Sequence, residues 1–156
     1  TEKILDIASG TGDIFQLLPF KKNLYAIDPI EQMHRVSQEK NADKNIQYQV
    51  GYVEKLPYKN NFFQIISCTY GVRNYENRQQ GFKEIFRCLK KNGYFLALSG
   101  SIIAKDRHSY KYLADSIKAF PSPKEVQNEL ENIGFTHIET IDFLSGANNI
   151  YIVQKK

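Results

Sequence analysis

The chain has little cysteine, no long apolar run and no strong charge bias, and each absence removes a class of protein. Two cysteines in 156 residues cannot make a disulfide scaffold, and neither Cys68 nor Cys88 has a C-x-x-C partner or a nearby histidine for metal or redox work. Both lie in apolar patterns and are expected to be buried thiols. No apolar run approaches the roughly 18 residues that span a bilayer, and the first residues do not form a basic-then-apolar signal peptide. The expected compartment is the cytoplasm. Net charge is +4, in short clusters at Lys21-Lys22, Lys90-Lys91 and Lys155-Lys156 rather than one stripe. That argues against a nucleic-acid footprint and leaves attraction to anionic lipid open. Repeats and low-complexity segments are also missing. What remains is 42% hydrophobic and 24% charged, ordinary composition for one domain over residues 1–156. The chain opens at Thr1 and runs straight into a strand, so a natural N-terminal segment is expected to precede it.

Strands and helices alternate along the chain. Lys3 to Ala8 reads as a buried strand, Asp13 to Phe20 as a short helix halted by Pro19, and Asn23 to Asp28 as the second strand. Pro29 suits a helix start, and Ile30, Met33 and Val36 continue that helix to Lys40. Ile46 to Tyr52 and Phe62 to Tyr70 read as strands. Phe82, Ile85, Phe86 and Leu89 mark a helix over Glu76 to Lys91 with Asn92-Gly93 as its stop, and Tyr94 to Ser99 follows as a strand. Tyr110, Leu113, Ile117 and Phe120 mark another helix. Ser122-Pro123-Lys124-Glu125 is a capping box that opens a helix closed at Gly134. His137 to Leu144 and Ile150 to Gln154, joined by a short link, predict an antiparallel pair. The fold class is therefore α/β: a doubly wound, mostly parallel seven-stranded sheet with a C-terminal antiparallel hairpin. Ligands of such sheets bind beyond the carboxyl ends of the strands, at the switch point.

The first such end carries Asp6, Gly10, Thr11 and Gly12 in "ILDIASGTGDI". A dinucleotide fingerprint needs a third glycine, and here that position is Phe15. A pyrophosphate would also face Asp6 and Asp13, and each close like-charge contact costs on the order of 1 kcal/mol. The turn instead suits a ligand with positive charge. S-adenosylmethionine (AdoMet) fits, with an ammonium and a sulfonium. Asp28 ends the second strand eighteen positions after Gly10, where a carboxylate can accept from both ribose hydroxyls.

Four stretches extend the pattern: "ILDIASGTGD", "EKLPYKNNFFQIISCTYGVRN", "IFRCLKKNGYFLALSGS" and "SYKYLADSIKAFPSPKEVQNELENIGF". With them the chain resembles the ubiquinone/menaquinone biosynthesis C-methyltransferases, class I AdoMet enzymes that methylate a polyprenylated quinol ring. The "GVRN" and the last stretch are the specific signals; the others occur across many methyltransferases. The resemblance implies AdoMet as cofactor, no metal, and a lipid quinol as acceptor. The lysine-, asparagine- and isoleucine-rich composition favours demethylmenaquinol over a ubiquinone precursor. The resemblance also implies that Thr11 and Asp28 contact AdoMet, that Tyr52 and Val53 flank adenine, and that Thr69 touches the cofactor. Arg73 and Asn74 match the pair that positions the acceptor and stabilises charge. The polyprenyl tail suggests transient contact with the inner membrane surface, and a homodimer stays open.

Departures from the family pattern are Tyr52 where Asp or Asn is usual, Gln64 for an acid and Ser99 for a glutamate. Family residues are also missing between Ser101 and Asp106, as is the family's N-terminal segment, so residues 1–156 are expected to lack the N-terminal and lid segments, whether or not the natural protein carries them. Of the histidines, His108 is a weak candidate for proton removal, and His34 and His137 read as structural. Three rivals of other classes stand beside this reading, one of them a Rossmann dehydrogenase, which the missing third glycine argues against. A nucleic-acid amine methyltransferase would carry Asn/Asp-Pro-Pro-aromatic where this chain has Thr69-Tyr70-Gly71-Val72. A non-catalytic AdoMet-binding module is suggested by Tyr52, Gln64 and Ser99.

Overall fold

A computed structural model describes residues 2–100, 121–143 and 148–156. The expected helix around Tyr110 to Phe120, His108, and most of the link before the last strand lie outside the described residues. The strands are β1 (Ile4–Ile7), β2 (Leu24–Asp28), β3 (Ile46–Val50), β4 (Phe63–Thr69), β5 (Leu89–Gly100), β6 (Thr136–Phe143) and β7 (Asn148–Gln154). The described helices are α1 (Asp13–Leu17), α2 (Glu31–Lys40), α3 (Arg78–Cys88) and α4 (Pro123–Ile133), with single 3-10 turns at Val53–Lys55 and Val72–Asn74.

All seven strands form one sheet in the order β3-β2-β1-β4-β5-β7-β6. β1, β2, β3, β4 and β5 pair in parallel, and β7 runs antiparallel to both β5 and β6. The expected architecture is therefore the observed one. Its switch point lies between β1 and β4, because the chain leaves β1 toward β2 and β3 and only later returns to the other side. Strand β1 is buried along its length, as an apolar run in a central parallel strand must be. Leu5 and Ile7 join Phe82, Ile85, Val126 and Leu130 in the core beneath α3 and α4, while Ile4 packs with Phe15, Leu24 and Ala26 beneath α1. Fully enclosed side chains such as Leu5, Phe82 and Phe95 contribute about 1.5–3 kcal/mol each.

Several element ends differ from the sequence expectation, for local reasons. Helix α1 stops at Leu17 because Leu18 precedes Pro19 and is pushed to extended backbone. Helix α3 starts at Arg78, not Glu76, since the Asn77 side chain caps it by accepting the Gln80 N–H at 3.0 Å. It ends at Cys88, not Lys91, because its last carbonyls are claimed by other parts of the fold. Phe86 O accepts from the Lys155 ammonium at 2.8 Å, Arg87 O from Asn61 N–H and Cys88 O from Phe62 N–H. Strand β5 consequently begins at Leu89, with a register shift opposite Phe63 and Ile65, so Asn92-Gly93 falls within it. By contrast, the capping box opening α4 is present as read, with Ser122 and Glu125 bonded reciprocally, and Gly134 closes the helix at φ 124°. Both cysteines are buried and free.

Candidate active site

The carboxyl ends of β1, β2 and β4 deliver the predicted residues to one end of the sheet. After β1 the chain turns sharply through three left-handed residues, Ala8, Gly10 and Gly12. The two glycines of that turn do different jobs. A side chain on Gly10 would meet nothing within 4 Å among the described residues, so the turn is open above it. A Cβ on Gly12 would stand 2.0 Å from Ser37 Oγ and 2.9 Å from Asn41 Nδ2. Gly12 is buried, and its carbonyl accepts from Asn41 Nδ2 at 3.1 Å, so its missing side chain makes room for α2 rather than for a ligand. Of the two glycines read at this strand end, Gly10 is the one that lines the cleft.

Asp28 locks this turn to the end of β2. One carboxylate oxygen accepts the Gly10 N–H and the other the Ile30 N–H, each at 2.9 Å. A carboxylate offers about four lone-pair positions, so two stay available to hydroxyl donors.

Beyond the turn lies a cleft of about 400 Å³, lined by Asp6, Ser9, Gly10, Thr11, Asp13, Ile14, Leu17, Thr69, Tyr70 and Leu98 among others. No Lys, Arg or His of the described residues lines it. Asp6 is only 2% exposed, and Ser67 of β4 donates to its Oδ1 at 2.7 Å. Burial pushes the Asp6 carboxyl up to about 7; the Ser67 bond opposes that rise and the neighbouring Asp28 charge adds to it. The Ser9 hydroxyl, buried in the same cleft, has no hydrogen-bond partner among the described residues, a donor that a ligand could satisfy. Thr11 bonds weakly to Asp13 at 3.4 Å, and Asp13 is paired with Lys40 at the rim.

A smaller apolar cavity of about 60 Å³ adjoins it, sharing Ala8, and is lined by Ile27, Pro29, Gly51, Tyr52, Val53, Gly71, Asn74 and Tyr75 among others. Val53 is buried, whereas Tyr52 is 61% exposed at the cavity's edge. The structure thus brings Asp6, Gly10, Thr11 and Thr69 to one cleft and Tyr52, Val53 and Asn74 to the neighbouring cavity, with Asp28 tying the two loops. Arg73 follows on the 3-10 turn after β4 but lines neither space, and it makes no hydrogen bond or ion pair to any described residue. Of the histidines read as structural, His34 is buried against Tyr48 and His137 bonds to Thr140 at 2.9 Å.

Two residues of this site were not singled out by sequence reasoning. Ser9 sits inside the quoted turn and could have been flagged as a hydroxyl in a ligand loop. Ser67 becomes visible only when β1 and β4 pair with Asp6 opposite it.

Open space above a glycine, an unsatisfied buried hydroxyl, a carboxylate ending β2 and an acidic cleft without cations suit a cationic adenosyl ligand. With a parallel sheet reversed only at β7, they define a class I AdoMet-dependent methyltransferase. A methyltransferase-domain model (Methyltransf_11) matches residues 5–97, and that of the ubiE/COQ5 methyltransferase family matches residues 93–155. The ubiquinone/menaquinone biosynthesis C-methyltransferase UbiE of Campylobacter jejuni subsp. jejuni serotype O:2 is 31% identical, over 98% of this chain and 78% of that protein. The enzyme of the same name from Yersinia pestis bv. Antiqua is 30% identical, over 94% of this chain and 70% of that one. Among solved structures, a SAM-dependent methyltransferase from Thermotoga maritima superimposes with a TM-score of 0.80 at 19% identity, covering 100% of this chain and 83% of that one. One from Aquifex aeolicus does so with a TM-score of 0.80 at 18% identity, covering 99% and 82%. The chain belongs to the ubiE/COQ5 methyltransferase family.

Proposed function

We propose that this methyltransferase acts on a ring carbon of a polyprenylated quinol, converting demethylmenaquinol to menaquinol. The observation that carries this reading is the mixed lining of the large cleft. Asp6 and Asp13 suit a cationic donor, and Ile14, Leu17, Tyr70 and Leu98 in the same lining suit a flat hydrophobic acceptor. Leu17 is 79% exposed and Tyr70 43%, so that lining extends to the cleft's mouth.

In this reading Asp28 accepts from the ribose hydroxyls, Tyr52 and Val53 flank the adenine, and Ser9, Gly10 and Thr11 line the cofactor's other end. Thr69 touches the cofactor from β4. Bound AdoMet supplies a methyl group made electrophilic by its sulfonium. The protein's share is alignment and a site complementary to the changing charge. A quinol ring carbon becomes nucleophilic when the neighbouring hydroxyl loses its proton. Arg73, an unpaired guanidinium among the described residues, stabilises that oxyanion and Asn74 orients it. Because a guanidinium stays protonated, the proton leaves through water. The acceptor's tail brings the protein transiently to the inner face of the membrane. Among the described residues no helix is long and apolar enough to cross one.

The test is quinone mass spectrometry on cells lacking this protein. A quinone one methyl group light should accumulate and disappear on complementation with the wild-type gene but not with Arg73→Ala. An unchanged quinone pool would refute the assignment, as would methyl transfer by the purified protein to small amines and not to dispersed demethylmenaquinol.

A further inference from the structure

Asp6 lines the cleft as a buried carboxyl without a cationic partner among the described residues. One oxygen holds the Ser67 hydroxyl at 2.7 Å. The charge that acts on it is Asp28, which ends β2 and repels a second carboxylate, while Asp13 on α1 lines the same cleft with its charge shared by Lys40. Cys68 of β4 and Tyr75 are close enough to feel its charge, and burial holds both in their neutral forms. Tyr70, also on the cleft wall, directs its hydroxyl away to Asn148 at 3.1 Å. Apart from the Ser67 bond, nothing among the described residues favours ionised Asp6 until a cation enters the cleft. The methyl donor and the demethylated product differ there by one positive charge, since the sulfonium becomes a neutral thioether.

We propose that Asp6 reads that charge: it releases its proton to water when the sulfonium donor fills the cleft and regains one from water when the thioether product replaces it. Asp6 then sets the preference for donor over product, and donor binding is linked to pH more strongly than binding of the product, which keeps only the ammonium. Burial raises the Asp6 carboxyl to about 7, which puts the switch within the physiological range. The proposal rests on the methyl-donor assignment and not on the identity of the acceptor.

Titration calorimetry of the purified protein at pH 7 in phosphate and in Tris, which differ in ionisation heat, measures the protons released. AdoMet should release a substantial fraction of a proton, and so should sinefungin, which carries an amine in place of the sulfonium. S-adenosylhomocysteine, which keeps the ammonium but lacks the sulfonium charge, should release clearly less. Asp6→Asn should abolish the difference and reduce the preference for AdoMet over S-adenosylhomocysteine by about tenfold, the equivalent of one pKa unit. Ser67→Ala removes the bond that favours ionised Asp6, so the fraction released should rise, a change that a purely structural role would not produce. Equal release for AdoMet and S-adenosylhomocysteine would overturn the proposal, as would release that persists in Asp6→Asn or fails to rise in Ser67→Ala. Wild-type protein that binds none of the three ligands would overturn the donor assignment itself.

Discussion

Gly10 and Gly12 are two residues apart in one turn, yet substituting each with alanine should break different properties. Both sit at left-handed backbone angles, φ 50° and 73°, where an L side chain costs about 1–2 kcal/mol. For Gly10 that is the whole structural penalty, since nothing lies within 4 Å of the new methyl group. Gly12→Ala adds a collision 2.0 Å from Ser37 Oγ on a packed helix. Overpacking of that kind costs a further 1–3 kcal/mol or so. Displacing Asn41 from the Gly12 carbonyl forfeits about 1 kcal/mol more. At about 2–4 °C per kcal/mol for a chain of this size, Gly10→Ala should lower Tm by about 5 °C and Gly12→Ala by about 10 °C or more. Binding should order them oppositely. The new methyl of Gly10→Ala projects into the open cleft and should weaken AdoMet by about tenfold or more, a loss of at least 1.4 kcal/mol. Gly12→Ala with Ser37→Ala should recover part of the lost Tm, because the closest clashing atom is gone. Thermal unfolding and calorimetry on the three variants decide the matter. Equal Tm losses for the two single variants, or normal AdoMet affinity in Gly10→Ala, would refute the division of labour.

Arg87 forks onto both Glu84 oxygens at 2.7 and 2.8 Å and also donates to the carbonyls of Tyr58 and Leu56. Arg87→Ala strands a mostly buried carboxylate and two carbonyls and should cost about 3 kcal/mol by denaturant unfolding. Arg87→Lys should recover only part of this, since an ammonium cannot form the fork. Asp28→Ala leaves the Gly10 and Ile30 N–H groups without their acceptor and removes the proposed ribose ligand. AdoMet affinity should fall by roughly 10- to 100-fold by calorimetry. The ligand-free protein should also show the Asp6 carboxyl in its stability. Its pKa is raised on folding from the usual 3.8 to about 7, so between those values the native state keeps a proton that the unfolded chain has lost. Its contribution is complete at low pH and falls by about 4 kcal/mol as pH rises through that window. Asp6→Asn removes this slope, so the wild-type minus variant stability difference across pH 4 to 7 isolates it. A flat difference would show that Asp6 titrates normally.

The legible part of the site was the part carried by short-range chemistry. The glycine turn, Asp6 before it and Asp28 ending the second strand could be read together because strand, turn and helix follow one another within thirty residues. Tyr52, Val53, Thr69, Arg73 and Asn74 rested on family resemblance. The structure brings Asn74 to the cavity of Tyr52 and Val53, and Thr69 to the large cleft. Arg73 it leaves outside both spaces. Ser67 was invisible because its value depends on lying across a strand pair from Asp6, sixty-one residues earlier in the chain. The end of α3 was misjudged for a similar reason, since its stop is made by Lys155, Asn61 and Phe62, not by a local glycine.

Sequence by itself determined the alternation of elements, the mostly parallel sheet with its reversed last strand, and the sign of the ligand's charge. Those follow from hydrophobic periodicity, turn residues and carboxylates adjacent along the chain. Tertiary structure alone decided which glycine faces open space and which faces a helix, and that Asp6 is buried beside Ser67 with no cationic partner among the described residues. Burial and close approach are properties of distant segments meeting, and no local pattern encodes how much water is left around a side chain once they have met.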